Sequence, residues 1–170
     1  MKYLFLDIDG VLNHEDWYKN KVQKNQNNFK YWWESCFDPD CVKRLNKILD
    51  ETGVRLVISS SWRIDRELKK YFKTIGIPTD FDITPSLARE DENGMYIWPS
   101  RGEEIEVFLK THSCDQYVIL DDDMDFTPDQ IDNHFVHCCA DFVQAFNEGH
   151  EGETGLTELK MHEAINILNK

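Results

Sequence analysis

Runs of consecutive apolar residues recur along the chain at 3–7, 54–59, 117–121 and 134–138, with a weaker one near 81–84. Short apolar runs without polar alternation are the pattern of strands buried on both faces. The stretches between them switch to helical period. Asp38 followed by Pro39 opens a helix whose apolar stripe is Val42, Leu45, Ile48 and Leu49 and which Gly53 ends. A second stripe, Leu68, Tyr71, Phe72 and Ile75, stops at Gly76. Ser100 and Glu103 have capping-box spacing ahead of Ile105, Phe108 and Leu109, and Thr157 caps a last helix bearing Ala164, Ile165 and Leu168. Strands alternating with helices predict an α/β fold: a five-stranded, mostly parallel sheet with helices on both faces.

Two segments break the alternation. Residues 14–37 mix Trp17, Tyr18, Phe29, Tyr31, Trp32 and Trp33 with Lys19, Lys21, Lys24 and Lys30, and read as an aromatic and basic insertion or lid. Residues 85–100 are polar, and Asn93-Gly94 predicts a tight turn there. Neither insertion has the size of a domain, and no linker or repeat divides the chain, so residues 1–170 are expected to form one domain.

Composition changes the picture mainly through charge. The net charge of −13 argues against extended duplex binding, which relies on basic surface. The longest apolar run falls far short of the roughly 18 residues of a membrane span, and the N-terminus enters a strand rather than a leader. Five cysteines, an odd number with no Cys-x-x-Cys spacing, fit a reducing cytoplasm, and vicinal Cys138-Cys139 read as packing.

The chemistry lies where the apolar runs stop. The first ends at Asp7-Ile8-Asp9-Gly10, and the third at Asp121-Asp122-Asp123. Carboxylates at the edge of a core must be paired, hydrated or metal-bound, since desolvating them bare costs several kcal/mol each. Along an extended chain Asp7 and Asp9 would point to opposite faces; a turn at Gly10 lets them converge. Two strands ending in carboxylates point to one shared site for a hard divalent cation. A calcium loop is excluded, because Leu4-Phe5-Leu6 cannot supply its ligands.

Asp7-Ile8-Asp9-Gly10-Val11-Leu12 resembles the first motif of the haloacid dehalogenase (HAD) superfamily of phosphohydrolases, Leu56-Val57-Ile58-Ser59 its second, and Asp121-Asp122 its fourth. Within that superfamily, Ser59-Ser60-Ser61-Trp62-Arg63 and the late Gly155-Leu156-Thr157 are similar to the small HAD domains of the Swiss Army Knife RNA-repair group. Those in turn resemble the phosphatase half of polynucleotide kinase-phosphatases. The resemblance implies a HAD-like Rossmannoid fold with minimal caps, which together with the alternation gives the strand order 5-4-1-2-3, and an Mg²⁺-dependent phosphatase. Asp7 would be the nucleophile that forms an aspartyl-phosphate, and Asp9 the general acid and then base. Mg²⁺ would be held by Asp7, Asp121, Asp122 and the backbone carbonyl of Asp9. Ser59, with Ser60 competing for the role, would contact phosphate. Arg101 is the candidate for the basic third motif; Arg63 is a second contributor, and Lys110 lies deep in a helix. Asp125 would support the metal site from behind.

An open pocket suits a nucleic-acid end, with a 3′-phosphate favoured. Lys21, Lys24, Lys30 and Trp17 would be the substrate contacts. The alternative is a nucleotide phosphatase acting on free mononucleotides under the 14–37 lid. A receiver-like phospho-acceptor domain is the non-enzymatic alternative, but it expects its acidic pair after the first strand rather than after a later one.

Overall fold

A computed structural model describes residues 1–23, 36–147, 149 and 154–170; the side chains of residues 21–23 and 142 lie outside the description. The main sheet contains β1 (Lys2–Leu6), β2 (Arg55–Ile58), β3 (Asp82–Ile83), β6 (Gln116–Asp121) and β7 (Phe135–His137). Its order is β3-β2-β1-β6-β7 and every pairing is parallel, which is the topology expected from the alternation and the family resemblance together. The short pair β4 (Arg89–Glu90) and β5 (Tyr96–Ile97) forms a separate antiparallel hairpin.

Alternation along β1 sorts the core into two layers. Leu4 and Leu6 join one cluster with α2 (Pro39–Thr52), α3 (Leu68–Ile75) and α7 (Glu158–Leu168), which contribute Leu45, Phe72 and Met161 among others. Tyr3 and Phe5 face the other way, onto Ile105 and Phe108 of α4 (Arg101–Thr111). Helices therefore cover both faces, and the strands are buried on each.

The caps read from the sequence are in place. Asp38 accepts from the Asp40 N–H at 2.8 Å with Pro39 in the first helical turn, and Gly53 closes α2 at φ 62°. Ser100 and Glu103 form the reciprocal capping box of α4, and Thr157 caps α7. The turn at Asn93-Gly94 joins β4 to β5, with the Asp91 carboxylate accepting from the N–H groups of Asn93 and Met95 at 2.9 and 2.8 Å. Cys138 and Cys139 are buried thiols in no disulfide, and Lys160 Nζ donates to Cys139 Sγ at 3.5 Å.

The first insertion begins as α1 (Glu15–Gln23). Residues 24–35, with Lys24, Lys30, Trp32 and Trp33, lie outside the described residues, as does the side chain of Lys21. The roots of the insertion are clasped together. His14 bonds Asp38 Oδ2 through Nε2 (2.9 Å) and Thr154 Oγ1 through Nδ1 (2.6 Å). Gly155 backs the clasp, since a Cβ there would lie 2.6 Å from the His14 ring. Burial works against ionisation of Asp38, but hydrogen bonds from His14 and the Asp40 N–H outweigh it and hold the carboxyl below its usual range.

Asp38→Ala removes a helix cap and strands buried His14, so it is expected to cost about 2–4 kcal/mol. Asp38→Asn, which keeps the cap, should cost clearly less. Urea denaturation of the two variants checks the difference, and equal losses would assign the whole effect to the His14 contact and none of it to the cap.

Candidate active site

The carboxyl ends of four parallel strands form one rim. The Asp7 N–H bonds the Leu120 carbonyl (2.9 Å), the Ser59 N–H bonds Leu6 (3.0 Å), and the Cys138 N–H bonds Asp121 (2.8 Å), so the ladders run on into the site. Beyond Asp7 the chain folds back on itself: the N–H groups of Val11, Leu12 and Asn13 all converge on the Ile8 carbonyl. Gly10 makes this turn at φ 73°, and a Cβ there would lie 2.3 Å from Asp122 Cγ. Both the backbone angle and the close approach require glycine.

This turn gives Asp7 and Asp9 different surroundings. Asp7 is 3% exposed, whereas Asp9 is open to solvent. Carboxylate oxygens of Asp7, Asp121 and Asp122 lie within 4.8 Å of one another. Asp7 Oδ1 and Asp121 Oδ2 are buried without a hydrogen-bond donor. Arg101 Nη1 pairs with Asp7 Oδ1 at 2.9 Å but directs its N–H to the Ser59 carbonyl at 2.6 Å, which leaves that carboxylate oxygen free. Hard oxygen donors, two of them buried and unsatisfied, are what a Mg²⁺-sized cation requires, so the residues fit the group. The Asp9 carboxylate stands outside this trio. It accepts from Asn13 Nδ2 at 2.7 Å and from Trp62 Nε1 at 2.9 Å.

Burial is the first cause raising all three clustered carboxyls. Asp7 is raised further by Asp122 and Asp9 and lowered by Arg101. Asp121 is raised further by Asp7 and ends higher than its neighbour. Asp122 is pushed up to about 6, with Asp123 adding to burial.

Arg101 reaches the rim from the first turn of α4, while Lys110 is exposed in the last turn of the same helix. Arg63 sits in a short 3₁₀ turn, Ser61–Ile64. It spans the Ser59 and Ser60 carbonyls and pairs with Glu104 at 2.6 Å. The buried Glu104 also accepts from the Leu87 N–H at 3.1 Å. Ser59 Oγ is buried and unpartnered, whereas Ser60 Oγ accepts from the Trp62 N–H at 3.3 Å.

Asp125 meets the start of the helix that carries Arg101. Its carboxylate accepts from the Arg101 N–H at 3.1 Å and so holds the start of α4. His137, uncertain in sequence, bonds the Asp122 carbonyl at 2.9 Å. Trp17 is half-buried on α1. Sequence reasoning missed Glu104, Asn13 and the Trp62 N–H. Asn13 lies in the Asp-Gly-Val-Leu-Asn run and Trp62 beside Arg63, so proximity to the motifs was the available signal.

Fold and site together define a HAD-type domain. The chain belongs to the family described as HAD domain in Swiss Army Knife RNA repair proteins, whose model matches residues 3–143. No curated protein and no solved structure matches the chain. Among the described residues no helix is long and apolar enough to cross a membrane.

The raised carboxyls carry protons in the fold that the unfolded chain has released above about pH 4. Metal-free stability should therefore fall as pH climbs from there through the raised values, the Asp122 value near 6 among them. A cation displaces those protons, so Mg²⁺ should raise the Tm more at about pH 8 than at about pH 5. Thermal melts with Mg²⁺ and with EDTA at both pH values check this; an equal Mg²⁺ shift at both would count against the trio as the ligand set.

Proposed function

We propose that residues 1–170 form a single HAD-like phosphomonoesterase domain, Mg²⁺-dependent and cytoplasmic, that acts on a phosphorylated nucleic-acid end with a 3′-phosphate favoured. The observation that carries the reading is the buried Asp7 carboxylate, with one oxygen free of donors, facing Arg101 and the carboxylates of Asp121 and Asp122.

Asp7 attacks phosphorus, and the bond to the leaving oxygen breaks as Asp9 protonates that oxygen. Asp9, now ionised, takes a proton from water; the water oxygen attacks the aspartyl-phosphate, and inorganic phosphate leaves with Asp7 restored. Arg101 and Ser59 hold the phosphoryl oxygens, and Arg63, tied to Glu104, stiffens the Ser59-Ser60 backbone. Asp7, Asp121, Asp122 and the Asp9 carbonyl would hold Mg²⁺. When bound, the ion offsets the negative charge of the phosphate and of the trio.

The nucleic-acid part of the reading draws on the family description and on the exposed aromatic surface near the rim. The β4–β5 hairpin connects β3 to the start of α4 and exposes four consecutive apolar residues, Met95 to Trp98. Such a run is unfavourable on a surface unless it binds something. Trp98 is 75% exposed, its ring lies 5.4 Å from that of Tyr96, and it precedes Arg101 by three residues. Bases next to a terminal phosphate can stack there, each contributing roughly 1–3 kcal/mol. Lys21, Lys24, Lys30 and Trp17 of the first insertion would be further contacts to the strand.

Asp7→Asn is expected to keep the fold by circular dichroism and to lower kcat by roughly 10⁴-fold or more, and EDTA to abolish turnover. Near wild-type activity in Asp7→Asn would end the aspartyl-phosphate reading. A 3′-phosphorylated oligonucleotide should be turned over with higher kcat/KM than a mononucleotide, and Tyr96→Ala with Trp98→Ala should erase most of that preference. Faster turnover of mononucleotides, insensitive to those changes and to Lys21, Lys24 and Lys30 replaced by Ala, would favour the nucleotidase instead.

A further inference from the structure

The Asp9 carboxylate stands at the solvent face of the site, where a side chain of its length ordinarily samples several rotamers. Here both of its oxygens are held. Trp62 Nε1 donates to Oδ2 at 2.9 Å and Asn13 Nδ2 donates to Oδ1 at 2.7 Å. The orientation of the Asn13 amide follows from its surroundings: its oxygen accepts the Gly10 N–H at 3.0 Å, so its nitrogen must face Asp9. The Trp62 ring is fixed independently. It packs edge-on against Phe37 (centroids 5.5 Å apart) and Tyr71 (6.5 Å), while its backbone N–H bonds Ser60 Oγ.

We infer that Trp62 and Asn13 are positioning residues that aim the Asp9 carboxyl at the leaving oxygen. The inference rests on the phosphoryl-transfer reading above and adds to it a role for two residues that hold no phosphate and no metal. An indole N–H is a donor only, and a carboxamide does not titrate, so neither can take over the proton that Asp9 transfers. What they supply is direction. Two donors arriving from different elements, the turn after β1 and the 3₁₀ turn after β2, fix the plane of the carboxyl group and restrict its rotation. A misplacement of about 1 Å at such a group is worth on the order of 10²-fold in rate. The arrangement also couples two jobs in one short segment. Ser59 and Ser60 face phosphate, and the next residue but one holds the acid, so a phosphate seated in the loop and the proton donor above it keep a common frame.

The test separates aim from fold through the leaving group. Breaking the bond to p-nitrophenolate needs little protonation, whereas an alkoxide such as a ribose hydroxyl needs an acid. The value of kcat/KM reports on steps up to the departure of that group. Trp62→Phe, which keeps an aromatic ring between Phe37 and Tyr71, is expected to raise the ratio of kcat/KM on p-nitrophenyl phosphate to kcat/KM on a 3′-phosphorylated dinucleotide by roughly 10- to 100-fold. Asn13→Ala, which removes the donor to Asp9 together with the acceptor for the Gly10 N–H and adds no charge, should move the ratio in the same direction. Equal losses on both substrates would show a structural role and overturn the inference.

Asp9→Asn is the control for the underlying reading. If it leaves the ratio unchanged, Asp9 is not the acid, and the reading and the inference fall together. If it raises the ratio and Trp62→Phe does not, only the inference falls. A readout independent of turnover covers poor folding of a variant. The indole ¹⁵N–H resonance of Trp62, assigned by its loss in Trp62→Phe, should shift and exchange faster with solvent in Asp9→Ala; an unmoved resonance would overturn the contact itself.

Discussion

Repulsion among Asp7, Asp121 and Asp122 is the constraint around which this rim is organised. Parallel pairing of β1 with β6 sets Leu6 beside Leu120, so the next residue of each strand, Asp7 and Asp121, must emerge side by side. Nothing in the sheet can separate them without losing the ladder. The chain answers with position rather than distance: Arg101, carried by the capped first turn of α4, pairs with Asp7, and Asp121 Oδ1 accepts the Asp123 N–H at 3.0 Å. Two buried oxygens remain without a donor. A fold keeps such a deficit only where something else makes use of it, because an unsatisfied buried acceptor costs roughly 1–3 kcal/mol.

The placement of Arg101 depends on α4 starting where it does. Its start is set three times over: by the Ser100–Glu103 capping box, by the Asp125 carboxylate on the Arg101 N–H, and by Gly102, where a Cβ would lie 3.0 Å from the Phe126 backbone. Asp125 thus acts on the carboxylate trio through the helix that delivers the arginine. Glu104, one turn into the same helix, receives Arg63 and the Leu87 N–H and so ties the 3₁₀ turn to the loop leading into the hairpin. One helix start therefore orders both arginines of the rim and one root of the aromatic hairpin.

Local patterns carried most of the fold. The apolar runs, the Asp38-Pro39 and Ser100–Glu103 caps and the glycine stops each depend on residues close in sequence; alternation with helices makes the strands parallel, and their order came from the family resemblance. The acidic ends of two strands were likewise legible as one site, because buried charge is conspicuous in a run of Leu and Ile. Illegible were contacts that bridge distant segments. Arg63 has acidic neighbours in sequence at Asp65 and Glu67, yet pairs across 41 positions with Glu104, because the 3₁₀ turn directs it inward over the Ser59 carbonyl. His14 reads as a lone histidine until the fold brings Asp38 and Thr154 to its two nitrogens. Residues 14–37 looked like an inserted lid; the described part is a helix whose root is held by that clasp.

Asp7 and Asp9 show how one turn gives two identical side chains two different surroundings, as the proposed nucleophile and the proposed acid require. An extended chain would have put them on opposite faces of the sheet. Gly10 and the Ile8 carbonyl fold the chain instead, leaving Asp7 under the rim among like charges and Asp9 above it between an indole and an amide. A nucleophile gains from the first environment, since an oxygen without donors has a lone pair free to attack and burial strengthens the pull of a nearby cation. A proton carrier gains from the second, where water can reach it and donors fix its direction. The same requirement explains why the turn tolerates no side chain at Gly10: a methyl group there would push against Asp122, and the carboxylate trio and the aim of Asp9 would be disturbed together.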